Sequence, residues 1–149
     1  MEYIEAPTEY LGNEKSIFLA GGITGCSDWQ CELTDLLKNE DIVLLNPRRA
    51  NFPIDNQNAA KEQIEWEYRH LHKTDAVSFW FPKETLCPIT LYELGVQMIK
   101  NKPLFIGVHP EYERKVDIEI QTRLARPEIG VVYDLDSLSK KIKEWVKTK

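Results

Sequence analysis

The sequence predicts an α/β fold: a doubly wound, five-stranded parallel sheet with helices on both faces. Short apolar segments alternate with longer amphipathic segments, which is the pattern of repeated strand–helix units. The chain has 149 residues, of which 42% are hydrophobic, enough for one full core. Because parallel crossovers are right-handed, the doubly wound order is the simplest topology. We therefore expect a single domain over residues 16–149 and an irregular N-terminal arm over residues 1–15.

Each predicted element rests on a local pattern. The strand that begins at residue 42 is predicted to end at residue 45, before Asn46-Pro47. The backbone of a residue that precedes a proline is excluded from the helical φ/ψ region, so no helix continues there. Leu33, Leu36 and Leu37 give the first helix one apolar face. The predicted strands are residues 16–20, 42–45, 76–81, 104–107 and 130–133. The predicted helices are residues 29–39, 57–73, 90–99, 116–125 and 137–146.

Composition excludes several classes of function. The net charge is −5 and no stretch is densely basic, so binding of a nucleic acid polymer is not expected. No apolar run is long enough to span a bilayer, and the N-terminal segment lacks the features of a signal peptide, so we expect a cytoplasmic protein with no membrane partner. Three cysteines without a Cys-x-x-Cys pair indicate free thiols. The three histidines show no ligand spacing, so no metal site is predicted.

Glu93 is the most informative residue. It follows the apolar strand 76–81 and lies in a helix for which Thr90 is the predicted N-cap. In a parallel sheet, ligands bind outside the carboxyl ends of the strands, which is where this helix begins. A carboxylate there can act on a bound ligand. The alternative is that Glu93, in the first turn, supports the cap and complements the helix dipole.

Other polar and small residues converge on the same edge of the sheet. Gly21 and Gly22 follow the first strand and would let backbone amides approach a sugar or phosphate, although such a pair is often only a turn. Paired arginines can bind an anion or remain solvated. An Asp-Trp pair can cap the first helix while the indole covers the pocket, or the indole can belong to the core. The candidate ligand-binding residues of these loops are Gly21, Gly22, Asp28, Trp29, Asn46, Pro47, Arg48, Arg49, Phe81 and Pro82.

The helix before the strand at residue 76 carries a second candidate carboxylate. Gln63 and Glu67 are one turn apart and share a face. Glu67 can face a sugar in the crevice, or it can be one charge of a solvated stripe. Asp75 starts a strand at the opposite edge, so a turn or capping role suits it better than catalysis.

Taken in order, several short motifs resemble the nucleoside 2-deoxyribosyltransferase family, in its bacterial and phage-like branch. The resemblance spans about residues 16–126, and the order and spacing of the motifs carry it. The motifs are Ile17-Phe-Leu-Ala-Gly-Gly-Ile23, Asp28-Trp29, Asn46-Pro-Arg-Arg49, Gln63-Ile-Glu-Trp-Glu67, Asp75-Ala-Val-Ser-Phe-Trp-Phe-Pro82, Tyr92-Glu-Leu-Gly95, Arg114 and the run Asp117-Ile-Glu-Ile-Gln-Thr-Arg-Leu-Ala-Arg-Pro127.

The resemblance implies a flavodoxin-like fold, no metal or organic cofactor, and homo-oligomers whose pockets a neighbouring subunit completes. It implies that Glu93 is the nucleophile and that Glu67 contacts the sugar. Asp117 and Gln121, in the polar segment near the C-terminus, would then bind substrate in the neighbour's pocket. Transferases of this kind place acids after the third strand and just before the nucleophile, where this chain has Phe81 and Cys87.

Three functions remain open at this point. The leading hypothesis is a transferase that cleaves the N-glycosidic bond of a 2′-deoxynucleoside and moves the sugar to another nucleobase through a glutamyl ester. The second is a hydrolase of nucleosides or nucleoside 5′-monophosphates with the same nucleophile. The third is a non-catalytic nucleotide sensor, which has no chemical reason to keep a carboxylate at Glu93.

Overall fold

The sheet has five strands, and all neighbouring strands are parallel. The computed structural model describes residues 1–148. β2 and β4 form the central pair, in which Ala20 pairs with Phe79 and Gly21 with Trp80. The strand order is β1-β3-β2-β4-β5. The strands are β1 (Glu2–Glu5), β2 (Ser16–Gly21), β3 (Val43–Asn46), β4 (Ala76–Phe81) and β5 (Leu104–Val108).

Helices cover both faces of this sheet. Along β2, Phe18 and Ala20 belong to one apolar cluster and Ile17 and Leu19 to the other, because successive side chains point to opposite faces. α2, α3 and α4 pack on the first cluster, and α1 and α5 on the second. The doubly wound α/β prediction is therefore confirmed. The helices are α1 (Trp29–Leu36), α2 (Gln57–Lys73), α3 (Pro88–Met98), α4 (Lys115–Ala125) and α5 (Leu135–Val146). None of the helices within residues 1–148 is long and apolar enough to cross a membrane.

The N-terminal segment differs from the expectation of an irregular arm. Residues 2–5 form β1, which pairs in parallel with β3, with Ile4 opposite Leu45. Only Ile4 of this strand is buried in the core, and glutamates stand at both ends. One buried side chain in four gives too weak a periodicity to predict a strand, so the edge strand was missed.

The strand predicted at residues 130–133 is reduced to one bridge. Val132 pairs with Gly107 beside β5, where its N–H donates to Ile106 O at 3.0 Å and its carbonyl accepts from Val108 N at 2.9 Å. The segment lies beside β5, but the ladder does not extend beyond this bridge. β1 supplies the fifth strand instead.

The start of α3 also differs from the prediction. Pro88 occupies the first helical position, and Cys87 is the N-cap with a left-handed φ of 51°. Thr90 lies inside the first turn and is buried, so its predicted role as N-cap is wrong. Proline is favoured at the first helical position because the N–H it lacks would have no helical partner. Glu93 consequently lies in the second turn, where it cannot cap the helix. The alternative that Glu93 supports the N-cap is therefore wrong.

Candidate active site

A cavity of about 240 Å³ opens at the carboxyl end of β2, between α2 and α3. Strand β2 turns away from the sheet at Gly21, and the chain returns at Pro47 and at the start of α3. Two carboxylates face the cavity, one from each helix. Among the described residues, no lysine, arginine or histidine lines it. The lining residues are Ala20, Gly21, Gly22, Ile23, Thr24, Pro47, Glu67, Thr85, Cys87, Pro88, Ile89, Thr90 and Glu93.

Glu93 is held in a poorly solvated position by α3. Its neighbour Leu94 is buried in the core, which fixes the rotation of the helix and directs Glu93 to the cavity. Burial raises the pKa of the Glu93 carboxyl to about 8, and the negative charge of Glu67 contributes to the shift. Burial disfavours the charged form, and a nearby like charge disfavours it further. Without a ligand, Glu93 therefore carries a proton at neutral pH.

Glu67 is oriented by a neighbouring amide on the same helix. Gln63 Nε2 donates to Glu67 Oε1 at 2.7 Å and to the carbonyl oxygen of Pro47 at 2.6 Å. Burial raises the pKa of Glu67, while the hydrogen bond from Gln63 opposes that change. Gln63 thus connects α2 to the end of β3 and fixes one oxygen of Glu67. The other oxygen of Glu67 is left without a protein donor in the part of the chain that the structure describes.

The two glycines are required by close packing at the cavity wall. A Cβ on Gly21 would lie 2.4 Å from Trp29 Cζ2 and 2.5 Å from the Trp80 carbonyl oxygen. A Cβ on Gly22 would lie 2.8 Å from Pro82 Cγ. All three distances are shorter than real Cβ contacts. The glycines therefore allow the chain to pass between two tryptophans and Pro82 as it enters the cavity.

Trp29 and Arg48 support the loops from outside the cavity. The Trp29 indole is buried in the core, and its Nε1 donates to Gly22 O at 2.8 Å. Arg48 donates to the carbonyl oxygens of Ser27 at 2.8 Å and Cys26 at 3.2 Å. These bonds tie the loop after β2 to the loop after β3. Arg48 therefore braces the two loops against each other.

Several other candidate residues lie away from the cavity. Asp28 is the N-cap of α1 and accepts from Cys31 N at 3.1 Å. Asn46 is buried, where it donates to the Tyr3 hydroxyl at 2.8 Å. Arg49 pairs with Glu62 at 3.2 Å. Phe81 is fully buried against Tyr112, and Pro82 packs behind Gly22 without lining the cavity.

Asp117 and Gln121 line a different groove, of about 420 Å³, between α3 and α4. Asp117 pairs at 2.9 Å with Arg114, the N-cap residue of the same helix. The groove runs along the face of α3 that contains Leu91 and Gly95, whereas Glu93 faces the cavity. Within one chain, the structure therefore does not bring Asp117 and Gln121 to the two carboxylates.

The segment before α3 and the first turn of that helix contribute residues that were not among the candidate ligand-binding residues. Thr85, Cys87, Pro88, Ile89 and Thr90 all line the cavity. The left-handed N-cap at Cys87 turns the chain so that this segment lies along the cavity before the helix starts. The only sequence signal for this arrangement is Pro88 as a helix start.

The arrangement can support covalent chemistry at a sugar. A carboxylate that is poorly solvated and lies near a second carboxylate is a suitable nucleophile once it is ionised, as in retaining glycosidases. No cluster of metal-ligating side chains occurs among residues 1–148. Oxygen and thiol groups in the cavity can hydrogen-bond a neutral, hydroxyl-rich ligand.

Comparison with known families agrees with this geometry. The sequence profile of nucleoside 2-deoxyribosyltransferase-like proteins matches residues 14–112, which is more than half of the chain. The matched segment contains every residue that lines the cavity. A search of curated proteins gives no match. On the strength of the profile match, the chain belongs to the nucleoside 2-deoxyribosyltransferase-like family.

Proposed function

We propose that the protein is a nucleoside 2-deoxyribosyltransferase that cleaves the N-glycosidic bond of a 2′-deoxynucleoside and transfers the sugar to another nucleobase. The observation that carries this proposal is the pair Glu93 and Glu67, which face one cavity at the carboxyl end of the sheet. The family match supports an enzyme of the glycosyltransferase type acting on small nucleosides.

In the proposed reaction, the ionised Glu93 carboxylate attacks C1′ of the bound nucleoside. The C1′–N bond breaks, the electron pair leaves with the nucleobase, and the base takes up a proton from water. The sugar remains as an ester on Glu93 after passing through an oxocarbenium-like transition state. A nitrogen of the acceptor base then attacks C1′, the ester C1′–O bond breaks to release the Glu93 carboxylate, and the acceptor nitrogen loses its proton to water. The sugar keeps its anomeric configuration because two displacements occur, and no cofactor takes part in either one.

Glu67 is the residue that we propose to bind the sugar hydroxyls. Gln63 holds one of its oxygens, which leaves the other free to accept from a hydroxyl. A hydrogen bond to a negatively charged acceptor strengthens as the sugar ring gains positive charge, so Glu67 would favour the transition state over the ground state.

The charge of the cavity favours a nucleoside without a 5′-phosphate. The cavity carries two carboxylates, and none of its described lining residues is cationic. A phosphate that entered would meet like charge with no guanidinium or ammonium to pair with. We therefore propose that the neutral nucleoside is the substrate and that monophosphates are cleaved much less efficiently.

We also propose that the functional unit is a homo-oligomer. Apolar side chains are exposed along the outer faces of two helices: Ile89, Tyr92 and Ile99 on α3, and Val116, Ile120 and Leu124 on α4. Between them, a Cβ on Gly95 would have no neighbour within 4 Å, so this side of α3 is open to close approach. A second copy of the chain would cover these side chains and bring Asp117 and Gln121 near another subunit.

The proposed function is tested by incubating the protein with a panel of 2′-deoxynucleosides, with and without an acceptor base. Transfer predicts an exchanged nucleoside that forms only when the acceptor is present. Free deoxyribose in both conditions would indicate the hydrolase alternative, in which water replaces the second base. Unchanged substrates that nevertheless bind would overturn both enzymatic functions and favour a nucleotide sensor. For variants of Glu93 or Glu67, Glu65→Gln is the matched control, because Glu65 is exposed on α2 and pairs with Lys61 on the same helix.

A further inference from the structure

Two cysteine thiols lie beside Gly22, and one of them, Cys87, lines the cavity. The sulfur atoms of Cys87 and Cys26 are 3.0 Å and 3.1 Å from the position that a Cβ on Gly22 would occupy. The two sulfurs are therefore within roughly 6 Å of each other, a separation that side-chain rotation and a small backbone shift can close to a disulfide. Gly22 has no side chain to stand between them.

The loop that carries Cys26 has open space on one side, although Arg48 holds its backbone through the carbonyl oxygens of Cys26 and Ser27. Its neighbour Gly25 has a positive φ of 76°, and a Cβ there would have no atom within 4 Å. Each thiol donates a weak sulfur hydrogen bond within its own loop, from Cys26 Sγ to Ile23 O at 3.6 Å and from Cys87 Sγ to Thr85 O at 3.5 Å. Little native interaction is lost when the two side chains turn towards each other.

We propose that Cys26 and Cys87 form a reversible disulfide when the protein reacts with hydrogen peroxide, and that this bond narrows the cavity. The inference goes beyond the proposed function, since it concerns the modification of the same pocket. Cys87 begins the helix that carries Glu93, and Cys26 follows the loop that lines the other side of the cavity. A covalent bond between them would draw the two walls together across Gly22.

The two thiols have different roles in this oxidation. Cys26 is partly exposed, whereas Cys87 is buried. Burial raises the pKa of both thiols. For Cys87 the pKa rises to about 12, with Cys26 and Glu84 adding to the effect, whereas the Arg48 guanidinium partly offsets the rise for Cys26. Cys26 is therefore the thiol that reacts first, and Cys87 is the one that resolves the product.

The proposed steps balance as follows. The sulfur of Cys26 attacks one oxygen of the peroxide, the O–O bond breaks, and Cys26 becomes a sulfenic acid while one water leaves. The sulfur of Cys87 then attacks the Cys26 sulfur, the S–O bond breaks, and a second water leaves with the Cys87 proton. The two thiols are oxidised by two electrons in total, and the peroxide is reduced.

The experiment treats the full-length protein with hydrogen peroxide and follows intact mass and linked peptides. We expect a loss of about 2 Da and a peptide pair joining Cys26 to Cys87, both reversed by dithiothreitol. The Cys31→Ser variant should behave identically, because Cys31 is exposed on α1 and outside the cavity. A linkage through Cys31, or over-oxidation of Cys26 with no linkage, would overturn the proposal.

Two variants separate the roles of the thiols. Both variants are made in the Cys31→Ser background, which removes the exposed third thiol. In Cys87→Ser, Cys26 should stop at a sulfenic acid that dimedone traps, and in Cys26→Ser neither a Cys87 adduct nor a linkage should form. Trapping on Cys87 in the Cys26→Ser variant would reverse the assignment and count against it. These readouts do not depend on catalysis, so they stand whether or not the protein cleaves nucleosides. A disulfide that forms without changing ligand binding or turnover would overturn the narrowing of the cavity.

Discussion

The negative charge of Glu67 raises the pKa of Glu93 across the cavity, on top of the larger effect of burial. Neither carboxylate has a lysine or arginine partner within the described chain, and Gln63 is the only side chain that donates to Glu67. The folded protein therefore keeps two acidic side chains close together without a cationic side chain to pair with either. Such an arrangement destabilises a fold, and it is most readily explained by a function of the pair.

Replacing Glu93 with glutamine should abolish glycosidic cleavage without harming the fold. The amide has the size of the carboxyl group but is far less nucleophilic, so we expect kcat/KM to fall at least about a hundredfold.

The same substitution should change the pH dependence of stability. A raised pKa of Glu93 in the folded state means that stability is lost as pH rises from the ordinary pKa of glutamate towards about 8. Glu93→Gln should therefore melt at a higher temperature than wild type at pH 8.

Turnover and thermal melting measured on the same preparation check this prediction, with Glu65→Gln as the matched control. With the wild-type protein, a 2′-fluoro substrate should leave a sugar-sized adduct on the peptide containing Glu93. A folded variant that retains near-normal turnover, or an adduct on another residue, would remove Glu93 as the nucleophile.

The pH dependence of turnover should report the interaction of the two carboxylates. The free enzyme requires ionised Glu93, so kcat/KM should rise with pH with an apparent pKa near 8. In Glu67→Gln the like charge is gone, and the rise should move to lower pH while the maximum rate falls. The shift follows from the Coulombic effect of Glu67, and the lower rate follows from weaker binding of the sugar hydroxyls.

Rate profiles of wild type, Glu67→Gln and Glu65→Gln between pH 5 and 9 test this expectation. The Glu65 variant should superimpose on wild type, since Glu65 is exposed. An unmoved profile together with kcat/KM within about twofold of wild type would make Glu67 an ordinary helix charge.

The sequence predicted the middle of the fold better than its edges. β2, β3 and β4 are apolar runs buried on both faces, and such runs are visible without alignment. β1 has one core residue and was missed, whereas the segment around Val132 reads as a strand but forms a single bridge. Edge pairing depends on what lies beside the strand in space, and the sequence does not contain that information locally.

The sequence likewise predicted one part of the candidate site and missed another. Gly21, Gly22, Pro47, Glu67 and Glu93 meet in one cavity because the ends of parallel strands and the helices beside them share an edge, which is a general rule. The contributions of Thr85 to Thr90 depend on the left-handed residue Cys87, and no sequence rule predicts a positive φ at a cysteine. Phe81 points into the core because alternation along β4 places it on the same side as Phe79.

The protein should be at least a dimer at micromolar concentration. The exposed apolar side chains on α3 and α4 lose contact with water when a second copy covers them, which supplies the driving force. Light scattering or sedimentation measures the mass. If pockets are shared, mixing inactive Glu93→Gln with inactive Asp117→Ala subunits should restore part of the activity, because one mixed pocket contains both native residues. A fully active monomer would refute the oligomer, and a dimer whose mixtures stay inactive would refute the sharing.

His70 should make stability fall as pH falls below about 6.5. Its Nδ1–H donates to Trp66 O at 2.8 Å, and its Nε2 accepts from Tyr10 N–H at 3.1 Å, so only the neutral ring fits. Burial lowers the pKa of His70, which the Trp66 carbonyl and Glu9 oppose and Arg69 and Lys73 reinforce. Below the ordinary pKa of histidine, the unfolded chain binds a proton that the folded chain does not. Stability is therefore fully present above that pKa and is lost as pH falls through it.

Urea unfolding at pH 7.5 and pH 5.5 measures this effect, in the Glu93→Gln background so that the opposite contribution of Glu93 is removed. We expect the stability difference between the two pH values to shrink in His70→Gln, even though that variant is less stable overall. His72→Gln is the matched control, because His72 is exposed on the same helix and its Nδ1 makes the same kind of contact, to Tyr68 O at 2.6 Å. An equal pH difference in both variants would show that His70 does not control the acid sensitivity of the fold.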